Sequence, residues 1–366
     1  MRNKVLMGFL AAFLTLGSTP SYAIHSLDKY VNSKQLASPG LLVINPIDGK
    51  VVAQNAPESL RVPASVLKLI STTAALHFVG PEKRYETAIF KTDNADEFVL
   101  QGSLDPWLTS NLTLSKKNSQ RFLPGLLNKA NPEGKKKITV YYAGLFERDI
   151  YDLQVNLKVK KIKPTFIKIE STKAKEIARD QISSVTSEPM SEMVKFVNLW
   201  SDNRLANRLA NSAARKIGYE TNGKGLTKTF ALALSEIGVD HTGLRARDGS
   251  GLSKSNRVSA KTIVELLAKI RNNPTFESIY EGLPVGGITG TLQKRFIETA
   301  PNAIGNVRAK TGWVNHSVTM AGYVSDGENE FVFAILADGI TPTLTSRNKA
   351  RAAMDRLLGT IVKGNH

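Results

Sequence analysis

The chain has 366 residues, of which 42% are hydrophobic and 22% charged, a composition typical of a folded globular protein and not of a disordered one. It contains no cysteine, which excludes thiol catalysis, disulfides and thiolate metal sites. Its formal net charge of +17 predicts a surface that attracts polyanions; outside the cytoplasm these are anionic envelope polymers and lipid headgroups, not nucleic acid.

A short secretory signal is predicted at the start of the chain. Arg2 and Lys4 precede an apolar stretch from Val5 to Leu16, which is too short to span a bilayer. Small residues ending at Ala23 suit cleavage by a signal peptidase. We therefore expect residues 1–23 to be a cleaved signal peptide and the mature protein to be periplasmic.

The first half of the mature chain predicts a hairpin, a helix and a long strand-rich segment. The hairpin spans 41–54, with its turn at 45–49, and a helix from Ser65 to Phe78 follows Pro63, which is tolerated at a helix entry. Residues 82–184 are expected to form an inserted β-rich accessory domain. Its strand-like pieces are 86–90, 97–101, 137–142, 153–160 and 164–170.

The second half predicts helices followed by strands. Helical periodicity over 189–217 is interrupted at Ser201-Asp-Asn203, which indicates a connection between two helices. Further helices are predicted at 224–237, 259–271 and 345–362, and strands at 305–313, 317–325 and 330–337. The predicted fold class is α/β (α+β): an antiparallel sheet built from both ends of the chain and covered by helices. Residues 24–81 and 185–366 would form this main domain.

The first motif with catalytic potential is Ser65-Val-Leu-Lys68. A serine hydroxyl reacts only when a neighbouring base takes its proton, and Lys68 lies one helical turn away. The Ser65 amide, at a helix start, would also help to bind an oxyanion. The pattern alone is equally typical of a capped helix with a surface lysine, and Ser346-Arg-Asn-Lys349 fits it too.

The second motif is Ser201-Asp-Asn203. Ser201 could relay a proton between Lys68 and a leaving group, and Asn203 could bind substrate or hold Lys68 in place. Serine, aspartate and asparagine are also the residues that cap helices best, so the motif has a purely structural interpretation as well.

The third motif, Lys310-Thr311-Gly312, occurs once in the chain. On an edge strand the cation and the hydroxyl could grip a substrate carboxylate, and Gly312 would let the substrate approach the backbone. The amide of Trp313 would be the second oxyanion donor. Five scattered histidines without metal-ligand spacing offer no competing Ser-His-Asp triad and no metal site.

With its three motifs in this order, the sequence resembles the low-molecular-mass class C penicillin-binding proteins, the D-alanyl-D-alanine carboxypeptidase/endopeptidase family. The likeness extends to Arg247-Asp-Gly-Ser-Gly-Leu-Ser253, Asn256-Arg-Val-Ser259, the segment Leu283 to Leu292 and the region 63–90. It covers about residues 40–110 and 185–360, most of the mature chain.

The resemblance implies a β-lactamase-like transpeptidase domain with an accessory insert, acting on peptidoglycan stem peptides and acylated by β-lactam antibiotics, without cofactor or metal. It assigns Ser65 as nucleophile, Lys68 as general base, Ser201 and Asn203 as the second motif, and Lys310 with Thr311 as the carboxylate grip. Gly312 and Trp313 complete the substrate-binding strand, and Asp248 and Ser250 support the site from behind.

Two departures from the family pattern stand out. The segment between Ser65 and Ser201 is shorter than usual, so we expect one accessory domain to be reduced or missing. Trp313 occupies a position where a small hydroxyl residue is common, and its bulk would narrow the groove.

Two alternatives stay open: a non-catalytic cell-wall-binding protein of the same fold, and a serine β-lactamase. The β-lactamase would need an extra base for fast deacylation. The lysine runs 135–137 and 158–163 would allow peripheral contact with an anionic envelope, although each run alone is typical of a solvated surface.

Overall fold

The structure, a computed structural model, describes residues 22–159 and 161–364. The predicted signal peptide lies outside the described residues except for Tyr22 and Ala23, which begin the first helix. In chain order the strands are β1 (Gly40–Ile44), β2 (Val51–Asn55), β3 (Glu86–Lys91), β4 (Glu97–Gly102), β5 (Leu108–Thr109), β6 (Arg121–Phe122), β7 (Thr139–Ala143), β8 (Thr165–Lys168), β9 (Gln181–Thr186), β10 (Val307–Val314), β11 (Ser317–Ser325) and β12 (Glu330–Ala337). The helices are α1 (Tyr22–Val31), α2 (Leu67–Val79), α3 (Leu112–Asn118), α4 (Leu123–Ala130), α5 (Glu147–Val159), α6 (Ser171–Ile177), α7 (Met190–Trp200), α8 (Asn203–Lys216), α9 (Gly223–Ile237), α10 (Ala260–Ile270), α11 (Glu277–Glu281) and α12 (Leu344–Val362).

The two ends of the chain meet in one antiparallel sheet with the strand order β10-β11-β12-β1-β2. Both faces of this sheet are covered, because successive side chains of β12 enter two different cores. Val332, Ala334 and Leu336 pack with α2 and α7–α10, whereas Phe331, Phe333 and Ile335 pack with α1 and α12. The antiparallel, helix-covered fold predicted from the sequence is confirmed.

The helix α2 lies in the middle of the larger core. A 3₁₀ turn, Ala64–Val66, leads directly into it, and its residues from Leu67 to Leu76 are all buried. A helix that is buried on all sides has no polar face, so Lys68 enters the interior together with its apolar neighbours. Gly80 ends the helix at a positive φ of 94°.

A second sheet is formed by residues between 86 and 186, in the order β8-β7-β4-β3-β9. Strands β4, β7 and β8 run parallel to one another, and β3 pairs antiparallel with β4 and β9. This sheet has an apolar core of its own, in which Leu100, Val140 and Leu153 are buried. These features support our proposal that residues 82–184 form an inserted accessory domain.

The predicted strand at 153–160 is wrong, because its described residues belong to α5. Ile150, Leu153 and Leu157 are buried at helical spacing. A helix is also what the topology requires, since parallel neighbours such as β7 and β8 need a crossover connection. Helices α3, α4 and α6 belong to the same segment as α5. The proposed insert is therefore a mixed α/β unit, built from helices as well as strands.

The other predicted elements are confirmed to within two residues at each end. These are the hairpin 41–54, the strands at 86–90, 97–101, 137–142 and 164–170, the helix pair divided at Ser201, the helices 224–237, 259–271 and 345–362, and the last three strands. No helix among the described residues is both long and apolar enough to cross a membrane.

A buried polar cluster joins α8 to the second sheet. Arg208 donates to Asp149 of α5 at 2.6 Å, and its guanidinium lies 4.2 Å from the centre of the Phe146 ring. Asp105 is buried beside this pair: one of its carboxylate oxygens accepts from the amide of Trp107 at 2.7 Å, and the other has no partner among the described residues. Burial raises the pKa of Asp105 to about 7.

Replacing Asp105 with asparagine should stabilise the protein at neutral and alkaline pH. The folded pKa lies above the usual 3.8, so the fold favours the neutral acid, and parent stability is lost as pH rises from about 4 through about 7. Relative to the parent, the free energy of unfolding of Asp105→Asn should therefore rise over this pH range, by up to about 4 kcal/mol. At higher pH the difference should stay constant. Urea unfolding at several pH values measures the difference.

Asp48→Asn is the matched control, because the exposed Asp48 carboxylate also accepts a backbone N–H, from Lys50 at 2.9 Å. This variant measures what the substitution itself does at an exposed site, where burial does not oppose the carboxylate. A flat pH profile for Asp105→Asn would contradict a buried carboxyl with a raised pKa.

Candidate active site

A cavity of about 690 Å³ opens where the start of α2, the α7–α8 connection and the edge strand β10 meet. The residues from the three sequence motifs that line it are Ser65, Ser201, Asn203, Thr311, Gly312 and Trp313. Stretches far apart in the sequence therefore converge on one concave surface.

The turn that carries Ser65 is held firmly against the central sheet. Ala64, directly before it, is fully buried with a positive φ of 46°, a conformation that costs a residue with a Cβ about 1 kcal/mol or more. The hydroxyl of Thr319 on β11 donates to the carbonyl of Pro63 at 2.8 Å, and that of Ser317 to the carbonyl of Val62 at 2.7 Å. These bonds keep the strained turn, and with it the Ser65 hydroxyl, in one place.

Strand β10 passes directly beside this turn at Gly312. A Cβ on Gly312 would lie 2.6 Å from the Ser65 amide nitrogen and 2.4 Å from the Thr319 hydroxyl, distances that real Cβ atoms do not adopt. Glycine is therefore required here by close backbone approach, not by backbone conformation. The Ser65 amide therefore lies directly beside the edge strand β10.

The free edge of β10 offers a second amide to the cavity. On the side away from β11, Val307 accepts from Gly286 at 2.8 Å and Ala309 donates to Pro284 at 2.9 Å. In an antiparallel ladder the N–H and C=O of one residue point to the same side and alternate residues share that side. The N–H of Trp313 is therefore directed to the free edge, where it can act with the Ser65 amide on an oxyanion.

Lys68 is fully buried, and its ammonium group makes three hydrogen bonds. It donates to Ser65 Oγ at 2.8 Å, to Asn203 Oδ1 at 2.7 Å and to the carbonyl of Ser250 at 2.6 Å. Burial lowers the pKa of Lys68 to about 8, against the opposing charges of Asp248 and Asp202. At neutral pH a useful fraction of the lysine is thus unprotonated and can accept a proton from Ser65.

The carbonyl that holds Lys68 belongs to the Asp248 loop, residues 247–253. One Asp248 oxygen accepts from the Ser250 hydroxyl at 2.8 Å and the Gly251 amide at 2.6 Å, and the other accepts from the Ser253 amide at 2.7 Å. Partial burial raises the pKa of Asp248, but these hydrogen bonds outweigh it and hold the pKa below its usual value. Asp248 and Ser250 thus position Lys68 from behind, without lining the cavity.

The Asp248 loop is in turn fixed to two helices. The Ser71 hydroxyl on α2 donates to the Gly249 carbonyl at 2.7 Å, and the Gly249 amide donates to Asn207 of α8 at 2.8 Å. Gly251, at a positive φ of 85°, touches the Ala64 carbonyl so closely that a Cβ would lie 1.8 Å from it. The loop therefore links Lys68 to the turn that carries Ser65.

Lys310 is also fully buried and lies behind the cavity wall, where its ammonium donates to the Thr311 carbonyl at 3.0 Å. Burial lowers its pKa well below the usual value, and the nearby charge of Lys68 lowers it further. Both effects favour the neutral amine of Lys310. The group of the third motif that reaches the cavity is the Thr311 hydroxyl.

Ser201 and Trp313 both line the cavity. Ser201 ends α7 in a left-handed conformation, with φ of 60°, which turns the chain back towards Asn203. The Trp313 side chain is 56% exposed, and the Arg347 guanidinium lies 4.9 Å from its ring centre. The tryptophan therefore forms an exposed part of the cavity wall.

The structure adds contributors that the sequence analysis missed. Thr291 shares a hydrogen bond with the Thr311 hydroxyl at 2.8 Å, and the cations Lys254, Lys294 and Arg351 line the cavity. Thr291 belongs to the 283–292 stretch noted for its family likeness, but nothing in its spacing indicated this contact. The second Ser-x-x-Lys sequence lies in the first turn of α12, where the Ser346 amide donates at 3.1 Å to the hydroxyl of Thr343, the residue that caps the helix.

The chain shares part of its sequence with known proteins. The chain is 31% identical over 183 residues to carboxypeptidase DacB of Mycolicibacterium smegmatis, covering 49% of this chain and 40% of that protein. It is 36% identical over 173 residues to a D-alanyl-D-alanine carboxypeptidase of an Actinomadura species, covering 45% and 30% respectively. The aligned segments thus span less than half the length of these curated relatives.

In three dimensions the chain is similar to penicillin-binding protein 4 (dacB) of Haemophilus influenzae. The TM-score is 0.70 at 17% identity, over 92% of this chain and 98% of the other, which shows a shared fold. The model of the D-Ala-D-Ala carboxypeptidase 3 (S13) family matches residues 23–165 and 153–361, nearly the whole described chain. The chain therefore belongs to the D-Ala-D-Ala carboxypeptidase 3 (S13) family.

Proposed function

We propose that the protein is a periplasmic serine DD-peptidase that acts on D-Ala-D-Ala stem peptides of peptidoglycan, through an acyl-enzyme on Ser65, and that binds penicillins covalently. The single observation that carries this proposal is the 2.8 Å hydrogen bond between Lys68 Nζ and Ser65 Oγ, buried beside a cavity. Membership of the S13 family supports it.

Acylation would begin with neutral Lys68 taking the Ser65 proton as Oγ attacks the carbonyl carbon between the two D-alanines. The negative oxygen of the tetrahedral intermediate would accept from the amides of Ser65 and Trp313. As the C–N bond breaks, the proton would pass from Lys68 through Ser201 to the leaving amine. D-Alanine then departs and leaves the shortened peptide as an ester of Ser65.

Hydrolysis would reverse the same steps with water as the nucleophile. Lys68 takes a proton from water, the hydroxide adds to the ester carbon, and the proton returns to Ser65 Oγ as the shortened peptide is released. Because Asn203 and the Ser250 carbonyl hold the amine on either side, the base keeps its position through both half-reactions.

The substrate carboxylate would bind at strand β10. The Thr311 hydroxyl reaches the cavity, and the Lys310 amine beneath it adds electrostatic attraction whenever it is protonated. Gly312 allows the substrate backbone to lie against the strand, in the manner of an added antiparallel neighbour. Lys254, Lys294 and Arg351 give the cavity a further bias towards anions.

The two alternatives fit the site less well. Among the described residues that line the cavity none is aspartate or glutamate, so no carboxylate is placed to activate water for the rapid deacylation of a β-lactamase. A pure cell-wall-binding protein has no use for an amine buried against a serine hydroxyl, which costs stability without contacting a ligand.

A fluorescent penicillin should label the parent protein covalently, and the Ser65→Ala variant should not be labelled. Ser346→Ala is the matched control, because Ser346 starts the other Ser-x-x-Lys sequence and should label like the parent. Gel fluorescence and intact mass would show one adduct for each chain. An unlabelled parent, or a labelled Ser65→Ala variant, would contradict the proposal, and rapid release of the drug would favour a β-lactamase.

The rate of acylation should rise with pH and level off above about 8. Protonated Lys68 cannot accept the Ser65 proton, so the rate should fall about tenfold for each pH unit below this value. Stopped-flow measurement of penicillin acylation gives the profile. Lys68→Arg, which stays protonated, should be slower by a factor of about 100 or more and lose the pH limb. An unchanged profile in that variant would exclude Lys68 as the base.

A further inference from the structure

The second sheet brings together two lysine runs that are separate in the sequence. The Lys163 amide donates to the Lys136 carbonyl at 3.2 Å, and the Thr165 amide to the Ile138 carbonyl at 2.9 Å, so the runs lie side by side as β7 and β8 begin. Together they line a groove of about 840 Å³ whose lysines are Lys136, Lys137, Lys161 and Lys163.

The lysines of this groove lack carboxylate partners among the described residues. Asp96 also lines the groove, but it is paired with Lys135 at 2.6 Å. Glu97 accepts from the Asn94 side chain at 3.0 Å. The groove therefore has a net positive charge that no part of the described chain neutralises, which is the electrostatic pattern of a surface for an anionic partner.

This groove lies at the end of the second sheet that is far from the catalytic body, the part of the protein formed by the central sheet and the helices that cover it. Strand β3 leaves the body at Tyr85, where the Ser187 amide returns to the Tyr85 carbonyl at 2.8 Å, and runs outward to Lys91. Strand β4 runs back in the opposite direction, and β7 and β8 are parallel to β4. The first residues of these three strands, which carry the groove, thus form the distal tip of the insert.

An exposed apolar face on α5 leads to the same tip. Tyr151, Val155 and Val159 recur every four residues, so they lie on one face of the helix, and their exposed fractions are 55%, 49% and 81%. With Leu112 they line a shallow groove of about 490 Å³. Lys158, also exposed, lies beside Val159 at the end of the helix. Adjacent apolar side chains this exposed are typical of an interaction site.

We propose that the lysine tip and the apolar face of α5 together form a docking surface for an anionic lipid bilayer. Lysines alone would serve a soluble polyanion equally well, but a polyanion gains nothing from exposed valines and a tyrosine. A bilayer attracts the lysines through its headgroups and takes the apolar side chains into the boundary between headgroups and acyl chains. This proposal does not depend on the proposed catalytic function.

The test is co-sedimentation of the full chain with vesicles of phosphatidylglycerol and phosphatidylcholine in equal parts, and with phosphatidylcholine vesicles alone. The parent should bind the anionic vesicles at least about tenfold more tightly, and less tightly as salt is raised. The variant with Lys136, Lys137, Lys161 and Lys163 all changed to glutamine should lose about tenfold or more in binding. The control variant has four lysines changed to glutamine that are exposed elsewhere on the protein: Lys50, Lys216, Lys224 and Lys269. Its binding to anionic vesicles should fall less than about twofold.

The apolar part is tested by the double variant Val155→Ser with Val159→Ser, which should bind anionic vesicles at least about threefold more weakly than the parent. Ile47→Ser with Ile297→Ser is its control, because these side chains are comparably exposed at 85% and 52%. Circular dichroism and thermal melting establish that every variant is folded.

Three results would overturn the proposal. If the tip variant and its lysine control lost vesicle binding equally, binding would depend on the net charge of the protein and not on the tip. If the valine variant bound anionic vesicles as tightly as the parent, the apolar face of α5 would play no part in binding a bilayer. Tight binding of soluble polyphosphate by a parent that ignores anionic vesicles would identify the partner as a polymer.

Discussion

Burial of one amine against one hydroxyl is the constraint on which the rest of the site depends. An unpaired ammonium in a protein interior is strongly disfavoured, so Lys68 is tolerated only because Ser65, Asn203 and the Ser250 carbonyl surround it. The same burial brings its pKa close to neutrality. The structural cost of the lysine and its capacity to act as a base thus have one physical origin.

The surrounding architecture serves to hold that arrangement still. The Asp248 loop, the β11 hydroxyls and the close passage of β10 at Gly312 each fix one side of the Ser65 turn. Two of these contacts leave no room for a Cβ, at Gly251 and Gly312. Such tight backbone packing leaves little freedom for the nucleophile, which favours attack from a single position.

The insert contributes to the molecule in a different way. Arg208 and Asp149 tie it to α8, whose first residue is Asn203, so the wall of the cavity and the base of the insert share one helix. Its far end carries unneutralised lysines and an exposed apolar helix face, features that the catalytic body does not require for folding. Catalysis and attachment would then be divided between two ends of one continuous structure.

By itself the sequence determined the main fold and the three motifs, because both depend on short-range patterns. Short apolar segments joined by turn-like residues predicted the strands of the central sheet, and helical periodicity predicted the helices, including the break at Ser201. It failed at α5, whose buried Ile150, Leu153 and Leu157 lie in a lysine-rich stretch that also alternates like a strand, and where the need for a crossover depends on which strands are parallel.

Only the tertiary structure decided how the motifs act together. The Ser250 carbonyl that binds Lys68 is a backbone group that any residue could supply, and the bond between Thr291 and Thr311 joins segments whose spacing carries no signal. Which of the two Ser-x-x-Lys sequences lies at a cavity, and which lies in the first turn of α12, likewise depends on packing over long distances. Local secondary-structure propensity depends on neighbouring residues, whereas burial, and the pKa values that follow from it, depend on the whole fold.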